Sequence, residues 1–162
     1  MENFKYKWEL PDPLAVEVTK PIRMVSIESF GPLDMPHLLT LWRPDGSGLR
    51  VHAEMRQIAE RMEIGVLCFE HLNSPSDSEV MLPIDSEFDQ QVGAFKLVVH
   101  ESGVTAESGI LLRARNGSEI AIVAGAFPLT IAVKGVLEQP HIFEPEYPME
   151  DFERIPIRIG ES

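Results

Sequence analysis

A single cysteine, Cys68, excludes an internal disulfide and with it any small stapled scaffold. No apolar run approaches the ~18 residues needed to cross a membrane. The opening stretch, MENFKYKWEL, alternates charged with aromatic side chains and lacks the continuous apolar core of a signal peptide. These absences predict a cytoplasmic protein. Basic residues are also scarce: 14 Lys and Arg face 26 Asp and Glu, for a formal net charge of -12. A phosphate backbone or anionic membrane is repelled on average, so the composition predicts neither nucleic acid nor membrane as a partner. A basic protein partner is electrostatically welcome, because long-range attraction speeds the encounter.

The motifs of catalysis are missing as well. There is no G-x-x-x-x-G-K-[ST], no G-x-G-x-x-G after a strand and no H-E-x-x-H. There is no G-x-S-x-G elbow either, and the serines of DGSG and ESG belong to turns. The histidines, His37, His52, His71, His100 and His141, are scattered, with no i, i+4 pair for a helical metal site. His52-Ala53-Glu54 has the His-x-Glu spacing of zinc deaminases, which supplies one metal ligand and a proton-shuttling carboxylate. Those enzymes also need Pro-Cys-x-x-Cys, and here Cys68 stands alone with no proline before it. His52 and Glu54 are therefore expected on the outer face of a strand beside Arg50. Cys68, in GVLCFEHL, is expected to behave as a small buried hydrophobe with an inert thiol. No pair of carboxylates is singled out for glycoside chemistry. The reading nominates no catalytic residue, no metal and no cofactor, and it leans away from an enzyme.

What is present is a pattern of strands. In SGILLRARNGSEIAIVA, residues 108–124, two apolar runs flank Asn116-Gly117, which suits a type I′ hairpin turn. Leu111 beside Leu112 and Ile122 beside Val123 put apolar side chains on both faces, marking a central hairpin. Phe4, Tyr6, Trp8 and Leu10 alternate as one half-buried strand, followed by an extended stretch over 15–29 interrupted by Pro21. Residues 38–42 and 49–53 form a second hairpin around the loop 44–48. Met55, Ile58, Ala59 and Met62 fall at i, i+3, i+4 and i+7, so 55–62 reads as a short helix or a looped crossover. Further strands are expected at 64–69, 80–84, 95–100, 129–136 and, at an edge because of Pro156, 154–159. Gly31-Pro32 marks a turn and 73–79 a polar loop. At 162 residues the chain suits one domain, 1–162. The fold class is mainly β: nine to eleven antiparallel strands in a two-sheet sandwich or flattened barrel, with at most one or two short helices.

A shift of 71 residues lays LTLWRPDGSGLRV (39–51) on ILLRARNGSEIAI (110–122). Upstream, VSIESFG at Val25 matches LVVHESG at Leu97 and, downstream, GVL at Gly65 matches GVL at Gly135, each one residue off that shift. Half-repeats over 22–72 and 94–142 would assemble such a sandwich from two similar units.

Acid is concentrated in two stretches without a base. Residues 62–95 hold seven acids, and 135–153 hold six. Within the second, FEPEYPMEDFE (143–153) interleaves acids, prolines and aromatics. That suits a strap whose rings dock on the protein while its carboxylates face out, and equally an epitope for a basic partner. The leading expectation is a non-enzymatic acidic domain that binds a basic protein, with a toxin-neutralising immunity protein as its sharpest form. Its candidate residues are Glu144, Glu146, Tyr147, Glu150 and Asp151. The alternatives are a small-molecule-binding or sensory domain with a site near Trp42, Arg43 and Arg50, Trp42 being partly exposed, and an enzyme whose residues gather from separate strands. Edge strands 4–10 and 154–159 could pair two copies.

Overall fold

The alternating segments become strands, and those strands make two sheets. The computed structural model describes residues 2–30, 35–136 and 143–158. In chain order the strands are β1 (Glu2–Phe4), β2 (Lys7–Glu9), β3 (Met24–Phe30), β4 (Met35–Trp42), β5 (Gly48–Ala59) and β6 (Met62–Leu72). They continue as β7 (Met81–Pro83), β8 (Gln91–Glu101), β9 (Val104–Ala114), β10 (Glu119–Ala124), β11 (Ile131–Lys134) and β12 (Glu153–Pro156). Sheet I runs β11-β10-β9-β8-β12, with β1 beside the far end of β9, and sheet II runs β2-β6-β5-β4-β3-β7. Pairing is antiparallel except for β1 on β9 and β2 on β6. The mainly-β, two-sheet class therefore holds, with twelve strands among the described residues. The turn at Gly31-Pro32, the third residue of the second GVL, the end of the 94–142 half-repeat and Ile159 lie outside the described residues.

Each half of the chain follows one plan. A four-stranded meander, β3 to β6 or β8 to β11, is followed by a strand that returns to pair with the meander's first member, β7 on β3 and β12 on β8. The two hairpins agree in register: Leu39 faces Val51 and Leu41 faces Leu49, as Ile110 faces Ile122 and Leu112 faces Ile120. Their turns agree too. Arg43 N donates to Ser47 O at 2.9 Å and Ala114 N to Ser118 O at 2.8 Å. Asp45 and Asn116 each accept the amide of the serine two residues on, at 2.8 and 2.9 Å. Only the glycines, Gly46 and Gly117, take positive φ in these turns. The 116–117 turn is thus a type I turn closed by a glycine bulge, and not type I′, because the Asn116 side chain caps Ser118 while its own φ stays negative. The flanking matches do not share this register: Ala94, and not Leu97, stands opposite Leu112 as Val25 stands opposite Leu41. Gly65 lies inside β6, whereas Gly135 lies beyond β11.

Three segments depart from the sequence reading. Residues 55–62 are not helical: β5 runs to Ala59 and turns at Glu60-Arg61, with Arg61 at φ 61, straight into β6. A bulge leaves Ile58 unpaired between Gln57 and Ala59, and this added residue mimics a helical interval in the apolar pattern. At the start of the 15–29 stretch, Leu14–Glu17 form one helical turn, α1, entered through Pro13. The stretch 4–10 is two strands and not one, since the chain crosses from sheet I to sheet II at Lys5-Tyr6. Tyr6 secures the crossing: its amide donates to Glu107 Oε1 at 2.7 Å, its hydroxyl to the Gly109 carbonyl, and its ring meets Phe69 edge-on at 4.9 Å.

Alternate side chains build two cores. Leu39, Leu41, Val51, Leu67 and Phe69 of sheet II face Ile110, Leu112, Ile120, Ile122 and Val133 of sheet I. Intervening residues of sheet I, Leu97, Val99, Leu111, Ala121, Val123 and Ala132, form a second cluster with Ile64 and Val66. Helix α1 is pinned by charge. Glu17, 2% exposed, accepts from the Arg43 guanidinium, which also donates to the Glu17 carbonyl at 3.1 Å; Lys20 joins at 3.0 Å. Removing one member of a buried pair strands the other charge. We expect Glu17→Ala to cost about 3–5 kcal/mol in urea unfolding, and Asp12→Ala, at the network's exposed end, about 0–1 kcal/mol.

Candidate functional site

Trp42, Arg43 and Arg50 do not converge on one site. Trp42 is 4% exposed, so the expected partly exposed platform is corrected. Its ring is covered because it lies flat on Gly48 across the hairpin, where a Cβ would come within 2.7 Å of it, and Nε1 donates to Ser26 Oγ at 2.8 Å. Arg43 is buried and occupied by Glu17. Arg50 is half-buried, donating to Thr40 Oγ1 at 3.3 Å and Glu79 at 3.2 Å. It lines an open cavity of about 630 Å³ with Glu28, Ser74, Ser76, Ser78 and Glu79. Trp42 and Arg43 border a separate cavity of about 210 Å³ with Arg23, Met24 and Pro75.

The acidic strap docks on sheet I. Ala126 N donates to Glu144 O at 2.9 Å and Glu146 N to Ala124 O at 2.8 Å, extending the line of β10. Phe143, Tyr147, Met149 and Phe152 then pack on the second cluster. Glu144, Glu150 and Asp151 are exposed. Glu146 instead turns inward, and both its oxygens accept from Gly65 N, at 3.1 and 3.2 Å. A Cβ at Gly65 would stand 2.5 Å from that of Ala124 and 3.6 Å from the Glu146 carboxylate, so the close approach of β10 is what requires the glycine. Burial pushes the Glu146 carboxyl above its ordinary pKa, against the opposing pull of the Gly65 amide. Tyr147, half-buried, is pushed up to about 12 by burial, with Glu146 and Glu101 adding to the effect.

The two acid-rich stretches meet at one end of the sandwich. Glu63 and Glu146 line a cavity of about 330 Å³ with Met55, Gln57, Arg61, Ala126 and Pro128. The rest of the first stretch lies elsewhere: Asp85 accepts from Asn116 at 3.0 Å and Ser118 at 2.8 Å, beside the β9–β10 turn. Among the described residues eight Lys or Arg share six carboxylates, so the cations are concentrated on a minority of the acids.

At the acidic end the loop between β10 and β11 presents residues that sequence reading passed over. Phe127 O accepts from Thr130 N at 3.2 Å and from Thr130 Oγ1 at 2.6 Å. Pro128 occupies the second position of this turn, and Leu129, at φ 66, occupies the third, which in a type II turn favours glycine. A left-handed leucine costs roughly 1–2 kcal/mol. Phe127 and Leu129 are each 52% exposed. The signal for this turn was Pro128 inside a break, with an aromatic before it and no polar turn residue after it.

Sheet II carries a further grouping on the face away from the main core. His52 stands opposite Cys68, and Glu54 follows two residues on, on the same face. One donor atom from each of the three lies within 4.8 Å of the others. Cys68 is 3% exposed, and burial, assisted by Glu54, pushes its thiol up to about 11. Glu54 also faces Lys7 at 3.4 Å and Arg56 at 3.6 Å.

No protein-family model, curated protein or solved structure matches the chain. No described helix is long and apolar enough to cross a membrane.

The inward carboxylate has a pH signature. With its folded pKa raised, Glu146 contributes stability that is present below the ordinary value of 4.5 and lost as pH rises through the raised one. Unfolding midpoints across this window should fall for the natural protein relative to Glu146→Gln, the two converging at the acid end.

Proposed function

We propose that this protein is a non-enzymatic binding domain for a basic protein partner, and that contact is made at the end carrying the Phe127-Pro128-Leu129 turn. The carrying observation is the pair of half-exposed apolar side chains held out by a strained turn beside exposed acids. Backbone strain of this kind is retained where the surroundings enforce it, and such sites are often functional. Phe127 and Leu129 supply the apolar contact, and the neighbouring Glu63 and Glu144 supply an acidic rim. A desolvated apolar centre within a charged border is the usual anatomy of a protein interface. Charge complementarity selects a cationic partner, of which a nucleic-acid-cleaving toxin is the sharpest case.

The test is capture by the immobilised protein at about 0.1 M and about 1 M salt, between which the Debye length falls from about 10 Å to about 3 Å. The reading expects basic proteins that are retained at low salt, released at high salt and lost in a Phe127→Ser/Leu129→Ser variant. Retention of nothing basic, or equal retention by the variant, overturns it. Leu129→Gly should meanwhile raise the unfolding free energy by about 1 kcal/mol, by relieving the left-handed backbone, while weakening capture.

A second reading has one observation in its favour, the cavity beside Arg50. Arg50, Glu28 and the serines of 74–78 suit a small polar ligand, although Glu79 already neutralises Arg50. In that case a screen of polar metabolites should give a thermal shift that Arg50→Ala removes, with basic-protein capture unchanged.

A further inference from the structure

We infer that His52, Glu54 and Cys68 form a binding site for a zinc-class divalent ion on the outer face of sheet II. The argument begins with register. Antiparallel pairing sets His52 directly against Cys68, and the period of two returns Glu54 to the same face. The result is an imidazole nitrogen, a carboxylate oxygen and a sulfur with donor atoms within 4.8 Å of one another, the one such group of three among the described residues. A second observation is independent of that spacing. His52 Nδ1 is buried and has no hydrogen-bond partner. Buried polar atoms are nearly always satisfied, so this nitrogen, one of three such atoms among the described residues and the one belonging to the group of three, is open to a ligand.

The donor set selects the ion. Magnesium and calcium take oxygen ligands, whereas a nitrogen, oxygen and sulfur set suits zinc, with protein ligands at three corners of a tetrahedron and a fourth corner open. His52 and Glu54 are half-buried and Cys68 is buried. Charge is balanced. A divalent ion with one thiolate and one carboxylate is neutral, so Lys7 and Arg56 are not set against a net positive centre. Both cations pair with Glu54, at 3.4 and 3.6 Å, on side chains 59% and 43% exposed, so the ion competes for this carboxylate with two solvent-exposed ion pairs. Sequence spacing conceals this site, since Cys68 reaches His52 only through strand pairing. It lies on β5 and β6, apart from the Phe127-Pro128-Leu129 turn, so it stands independently of the binding function proposed above.

The experiment is titration of chelator-treated full-length protein with Co²⁺, followed by displacement with Zn²⁺. The proposal expects one equivalent of Co²⁺, a thiolate-to-cobalt charge-transfer band in the near ultraviolet, loss of that band on Zn²⁺ addition, and a higher thermal midpoint with Zn²⁺. His52→Gln and Glu54→Gln, both at half-buried surface positions, should each lower affinity by more than the roughly 10–100-fold that loss of an outer-shell partner costs. Cys68→Ser should abolish the band. Since that buried position tolerates change least, His52→Gln carries the decision. Absence of the band, or Co²⁺ affinity unchanged in His52→Gln, overturns the site.

Discussion

Sheet I is apolar on both faces, and most of the molecule follows from the need to cover them. Leu111 and Leu112, or Ile122 and Val123, point in opposite directions from one strand, yet all four are buried. Sheet II covers one face. The other is closed by Ile64 and Val66 together with the rings of the strap. Without Phe152 and the other rings of the strap, Leu97, Leu111 and Val123 would leave an apolar surface open to water, the kind that promotes association. The proline-rich composition of the strap suits this use: an extended segment presents side chains without needing a partner strand along its whole length.

The docking of the strap arranges the acidic end. Its backbone bonds to Ala124 and Ala126 hold the β10–β11 loop in place, and its Glu146 reaches across to Gly65. One acid is thereby turned inward, while Glu144, Glu150 and Asp151 stay in solvent. The strained leucine and exposed phenylalanine sit against this frame. Glu63 and Glu144 lie beside them.

At the other end, two hairpins with the same turn, the same cross-strand register and the same asparagine or aspartate cap organise the two meanders. The resemblance ends where tertiary demands differ. The first hairpin grows into the long β5–β6 ladder that reaches sheet I, while the second stops at the short β11. The two sheets are joined by residues 2–9, where Tyr6 bonds to β9 and meets Phe69 of β6 edge-on.

What the sequence determined by itself is whatever depends on period and on turn chemistry: the mainly-β class, the two hairpins around Asp45-Gly46 and Asn116-Gly117, and the edge strand at Pro156. These are local, since side-chain alternation and glycine's left-handed backbone act within a few residues. Tertiary structure decided the rest. A bulge at Ile58 turned an apparent helix into a strand, because pairing with β6 outweighs a pattern of four residues. Trp42 is covered because Gly48 lies across the ladder from it. Cys68 met His52, and Glu63 met Glu146, only because strands distant along the chain were laid side by side. Contacts of that range depend on register and sheet packing, and no local sequence pattern carries them.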